Sequence, residues 1–87
     1  MVYKIIYSLS AEKYLSRLTI SKASAILKRI TYVATDPFRQ DNNIVKLAGT
    51  LSSYRLRIGD IRLIYQVDTK VKIIYVVKIA PRGAIYS

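Results

Sequence analysis

The C-terminal half of the chain sets the tightest limit on its fold. Tyr54 to Ile58, Ile61 to Val67 and Val71 to Ile79 are rich in β-branched and aromatic residues, and only Gly59-Asp60 and Asp68-Thr69-Lys70 separate them. Connections this short join antiparallel neighbours, so the segments predict a three-stranded antiparallel meander. Side chains alternate along a strand, which places Tyr54, Leu56 and Ile58 on one face and Arg55 and Arg57 on the other. The same alternation sets Ile61, Leu63, Tyr65 and Val67 against Arg62, Ile64 and Gln66. In the last strand it sets Val71, Ile73, Tyr75, Val77 and Ile79 against Lys72 and Lys78. A sheet with one apolar face needs something to cover that face.

The preceding residues supply the cover. Val2 to Ser8 reads as a strand, with Ser8 and Ser10 as helix caps after it. Ala11, Tyr14, Leu15 and Leu18 fall at the spacing of one buried helical stripe, predicting a helix near 10–18. Thr19 and Ser21 offer a second cap, Ile26, Leu27, Ile30 and Val33 make a second stripe, and Asp36-Pro37 is a stop, so a second helix is expected over about 21–35. Phe38 to Asn43 is polar and turn-rich, and Ile44-Val45-Lys46-Leu47 reads as a short extended segment ending in a turn at Gly49. The expected class is α+β: an N-terminal strand, a helical hairpin, then the meander, with the helices packed on one sheet face. At 87 residues a second core would be too small to stand alone, so residues 1–87 are expected to form one domain.

Charge indicates what the other face is for. Fifteen Lys/Arg against five Asp/Glu give a net charge of +10, a field that attracts phosphate polymers, anionic membranes or an acidic protein partner. With the apolar sets beneath the helices, Arg55, Arg57, Arg62 and Lys78 gather on the uncovered face, and Arg82 lies just beyond it. Taken singly, each cation is as well explained as a solubilising group. Together they present planar forks matched to phosphate oxygens, which favours a phosphate-binding surface.

The residue inventory narrows the chemistry. The chain has neither cysteine nor histidine, which removes thiolate chemistry, the commonest metal ligand and the usual neutral-pH base. The carboxylates Glu12, Asp36, Asp41, Asp60 and Asp68 show no metal-ligand spacing and read as caps and turn formers. No glycine-rich phosphate loop or Gly-x-Ser-x-Gly elbow occurs. Tyr3, Tyr7, Tyr14, Tyr54, Tyr65 and Tyr75 fall in strand or helix patterns and are expected in the core. Tyr86 follows the last strand, where an aromatic can stack on a base or place a hydroxyl near a phosphate. The opening Met-Val-Tyr-Lys-Ile-Ile-Tyr has no signal-peptide pattern and the apolar runs are too short to span a bilayer, so a cytoplasmic address without a membrane partner is expected.

Three stretches carry a family resemblance: Val45-Lys46-Leu47-Ala48-Gly49, Tyr54-Arg55-Leu56-Arg57-Ile58-Gly59-Asp60-Ile61-Arg62-Leu63-Ile64-Tyr65, and Pro81-Arg82-Gly83-Ala84-Ile85-Tyr86. With the order of elements, they make the whole chain resemble the RelE/ParE superfamily of bacterial and archaeal toxins, and specifically a RelE-like mRNA interferase of a type II toxin-antitoxin system. The resemblance implies entry into the ribosomal A site, attack of a ribose 2′-hydroxyl on the adjacent phosphate without metal or small-molecule cofactor, inhibition of translation, and a cognate antitoxin that holds the protein inactive. The implied catalytic residues are Arg57, Arg62, Arg82 and Tyr86. Arg55, a basic strand position of the family, is expected to bind RNA phosphate together with Lys46 and Lys78.

One departure bears on mechanism. RelE members carry lysines where this chain has Arg55 and Arg57, and one of those lysines is assigned as general base. A guanidinium stays protonated above about pH 12, so Arg57 is expected to clamp charge rather than take a proton. Lys46 and Lys78 are the remaining substitutes. ParE relatives share the Tyr-Arg-x-Arg-x-Gly-Asp-x-Arg segment yet inhibit DNA gyrase and cut no RNA, and a non-catalytic RNA-binding module is a third reading.

Overall fold

The computed structural model describes residues 2–39, 41–47 and 52–83. Its elements run β1 (Lys4–Tyr7), α1 (Leu9–Ser16), α2 (Ile20–Thr35), β2 (Ile44–Lys46), β3 (Ser53–Ile58), β4 (Ile61–Asp68) and β5 (Ile73–Pro81). Both helices start on the side-chain caps expected of their sequence. Ser8 Oγ accepts the Ala11 N–H and Thr19 Oγ1 accepts the Lys22 N–H. The α2 helix stops at Thr35, with Asp36 as its cap ahead of Pro37.

The strands form one sheet in the order β1-β5-β4-β3-β2. The meander β3-β4-β5 is antiparallel as the short turns require, while β1 pairs parallel to β5 at one edge and β2 antiparallel to β3 at the other. Gly59 takes φ +58 in the β3–β4 hairpin, at the first central position of a two-residue turn, where only glycine is unstrained. Gly49 lies outside the described residues.

Cross-strand rows build the core. Ile44, Leu56, Leu63 and Ile79 align across β2, β3, β4 and β5, and Tyr54, Tyr65, Val76 and Tyr7 make the next row. Onto these rows α2 presents Ile26, Ile30, Val33 and Ala34 and α1 presents Ala11, all buried. Ala34 stands where the helical stripe was expected to use Leu27, which is 41% exposed. The i+8 position keeps Ala34 over Ile26 and Ile30, whereas Leu27 is rotated about 100° away from Ile26.

Strand alternation holds in β3 and β4 and breaks in β5. Ile64 pairs Lys78 while Tyr65 pairs Val76, so Val77 is an extra, bulged residue. Before the bulge the buried residues are Ile74 and Val76, and after it Ile79. The expected inward set of Val71, Ile73, Tyr75 and Val77 is therefore wrong. Ile73 and Tyr75 turn away from the core, Val77 is 40% exposed, and Val71 and Lys72 belong to the turn, where Lys72 takes φ 58. Lys78 lies beyond the bulge and keeps its expected side.

Tyr65 is fully buried and stacked on Tyr54 at 5.4 Å between ring centroids, and its hydroxyl has no hydrogen-bond partner among the described residues. Burial also raises its pKa well above the ordinary tyrosine value. A buried hydroxyl without a partner costs about 1–3 kcal/mol. Tyr65→Phe is therefore expected to match or exceed the wild-type melting temperature, a result that thermal denaturation reads directly.

Candidate phosphate-binding site

The face of the sheet away from the helices carries the cations in register. Arg57 of β3 lies directly opposite Arg62 of β4, and one row along, Arg55, Ile64 and Lys78 align across β3, β4 and β5. Neighbouring strands are about 4.8 Å apart, so these groups reach a common patch. Arg82 joins the same end, because its backbone N–H donates to the Asp60 carbonyl at 2.7 Å in the β3–β4 turn. The fold thus brings together Arg55, Arg57, Arg62, Lys78 and Arg82.

Two like charges directly opposed across a ladder destabilise a sheet. Here the two guanidiniums fan apart onto neutral acceptors. Arg57 Nε and Nη2 donate to Asn43 Oδ1 at 3.1 and 2.8 Å, while Arg62 Nη1 donates to the Gly59 and Ile61 carbonyls at 2.9 and 3.2 Å. These bonds fix the forks without neutralising them, which leaves their positive charge for an anion between them.

Behind Arg57 runs a relay that the sequence did not announce. Asn43 Oδ1 holds the guanidinium, the Asn43 N–H donates to Asp41 Oδ1 at 2.8 Å, and Arg29 of α2 donates to Asp41 Oδ2. Nothing in the spacing of positions 29, 41, 43 and 57 reveals this contact; the only signal was a polar, turn-rich loop. The Arg29 hydrogen bond, followed by that of the Asn43 backbone, holds the Asp41 carboxyl below the usual carboxylate range. A lowered folded value means that the stabilisation is complete above the unfolded value near 3.9 and is lost as the pH falls through the folded one. Asp41→Asn is accordingly expected to melt below wild type at neutral pH, with the gap closing as both are titrated into strong acid.

The remaining expected site residues lie elsewhere. Lys46 pairs with Tyr54 and so takes the helix side of the sheet, on the exposed edge strand, apart from the cation cluster. Tyr86 falls outside the described residues. Among the described residues no group of three or more His, Cys, Asp or Glu side chains is placed to hold a metal ion, and no helix is long and apolar enough to cross a membrane.

Comparison with known proteins bears on this arrangement. The family described as the ParE toxin of the type II toxin-antitoxin system parDE matches residues 5–86. In fold the chain is similar to archaeal RelE in its complex with RelB from Pyrococcus horikoshii, with a TM-score of 0.82 and 31% identity over 97% of this chain and 99% of that one. It is also similar to the isolated RelE toxin of E. coli (TM-score 0.79, 23% identity, 93% and 85% of the two chains). The YoeB/ParE toxin of Agrobacterium tumefaciens aligns at a TM-score of 0.74 with 18% identity, over 91% of this chain and 98% of that one. No curated protein sequence matches the chain.

Proposed function

The chain belongs to the ParE toxin family, within the RelE/ParE superfamily of type II toxin-antitoxin toxins, and from that premise we propose that it is a ribosome-dependent mRNA endoribonuclease, neutralised by a cognate antitoxin. The observation that carries the reading is the register that gathers Arg55, Arg57, Arg62, Lys78 and Arg82 at one end of the sheet face away from the helices. A pentacoordinate phosphate carries more charge than the ground-state diester. Preorganised guanidiniums stabilise that increment and cost no reorganisation during the reaction.

In this reading the ribose 2′-oxygen attacks the adjacent phosphorus and the 5′-oxygen departs, taking a proton from solvent water, which leaves a cyclic phosphate and a 5′-hydroxyl. Arg57 and Arg62 hold the equatorial oxygens, and Arg82, at the edge of the cluster, meets the charge on the leaving oxygen. None of them gives up a proton near neutral pH. Lys78 is the one amine in the cluster among the described residues and, having released its own proton to solvent, takes the 2′-hydroxyl proton. Lys78→Arg preserves the positive charge and removes that capacity. It is expected to lower the single-turnover cleavage rate by about 10²-fold with little change in binding.

The family match also favours a second reading, inhibition of DNA gyrase without RNA cleavage, as in ParE relatives. Parallel assays of translation and supercoiling separate the two. The endoribonuclease reading expects translation to stop at protein concentrations that leave supercoiling intact; the reverse pattern would move the protein to the gyrase class.

A further inference from the structure

Beyond the cation cluster, the same sheet face carries a polar groove of about 370 Å³ lined by Ser52, Gln66, Asp68, Thr69, Lys70 and Tyr75. Gln66 and Tyr75 are cross-strand partners, and Gln66 lies two residues along β4 from Ile64, the residue that Arg55 and Lys78 flank. At about 3.3 Å per residue, the groove sits roughly 6.6 Å further along the strand. The β5 bulge gives it its aromatic wall, because without the extra residue Val77 the Tyr75 ring would turn into the core.

We infer that this groove is a nucleobase subsite of single-stranded RNA, in which the Tyr75 ring stacks on the base next to the clamped phosphate and the Gln66 amide and Ser52 hydroxyl read its edge. The inference rests on the cation cluster being the phosphodiester clamp. The groove's own charge favours a base over a second phosphate. Asp68 Oδ1 accepts the Lys70 and Val71 backbone N–H groups at 3.0 and 3.3 Å, so a fixed carboxylate balances the Lys70 ammonium there. An uncharged planar ring with donor and acceptor edges suits that lining, and base stacking on an aromatic side chain tolerates any base while hydrogen bonds to its edge select among them. Lys70, exposed at the far rim, meets the following phosphate.

The test uses the whole protein on programmed ribosomes with messages that carry a single 5-iodouridine at, or on either side of, the A-site codon. Irradiation is expected to give an adduct on the peptide containing Tyr75. Tyr75→Ala should reduce its yield roughly tenfold or more and Tyr75→Phe should retain it. Should Tyr75→Ala fail to fold, Gln66→Leu, at an exposed position, is expected to even out the cutting efficiency among codons. A message that is cut while its adducts lie elsewhere, or cut with the same codon spread by Gln66→Leu, overturns the subsite and leaves the endoribonuclease reading standing. An adduct at Tyr75 on an uncut message does the opposite, and a message neither cut nor cross-linked overturns both.

Discussion

Arg82→Ala is expected to lower the rate of message cleavage by about 10²- to 10³-fold while the melting temperature stays close to that of wild type. The magnitude follows from removing one preorganised cation aimed at charge that grows during the reaction. The unchanged stability follows from how the residue is held. Its anchor is the backbone N–H bond to the Asp60 carbonyl, which any residue but proline can make, and the side chain is exposed. Arg62 is a less clean probe, because its guanidinium also ties down the Gly59 and Ile61 carbonyls, so its loss mixes catalysis with the hairpin's stability. Single-turnover cleavage with melting curves on the same preparations checks the prediction, and an Arg82→Ala protein that cuts at the wild-type rate would remove Arg82 from the site.

The largest effect on stability is expected at Leu63. It is fully buried in the row Ile44-Leu56-Leu63-Ile79, with β-sheet neighbours on both sides. Leu63→Ala leaves a cavity that the flanking strands cannot close without breaking register, and such truncations cost about 2–5 kcal/mol. For a domain near this size each kcal/mol lowers the melting temperature by about 4–8 °C, so a drop of roughly 10 °C or more is expected. A shift of only a few degrees would mean that the row is not the centre of the core.

The fold was readable wherever local signals decide it. Short turns announced the meander, serine and threonine caps announced the helix starts, and alternation placed Arg55, Arg57 and Arg62 on one face because β3 and β4 pair without interruption. The reading failed where a long-range contact decides. A bulge is a property of two strands paired with each other, so nothing in the run from Val71 to Ile79 revealed that Val77 is supernumerary, and Tyr75 was assigned to the core instead of the open face. Lys78 was placed correctly only because it lies downstream of the shift. Lys46 is expected in the phosphate-binding set, but its register with Tyr54 sends it to the opposite face. Asn43 and Asp41, which hold Arg57 in place, sit in a loop whose partners are set by tertiary packing.

The measurement that bears most directly on the phosphodiester clamp is primer extension on a defined message during cell-free translation with the purified protein. New 5′ ends are expected within the codon in the ribosomal A site, and they should vanish when Arg82→Ala replaces the wild-type protein. An intact message in the presence of protein that blocks gyrase supercoiling would contradict it.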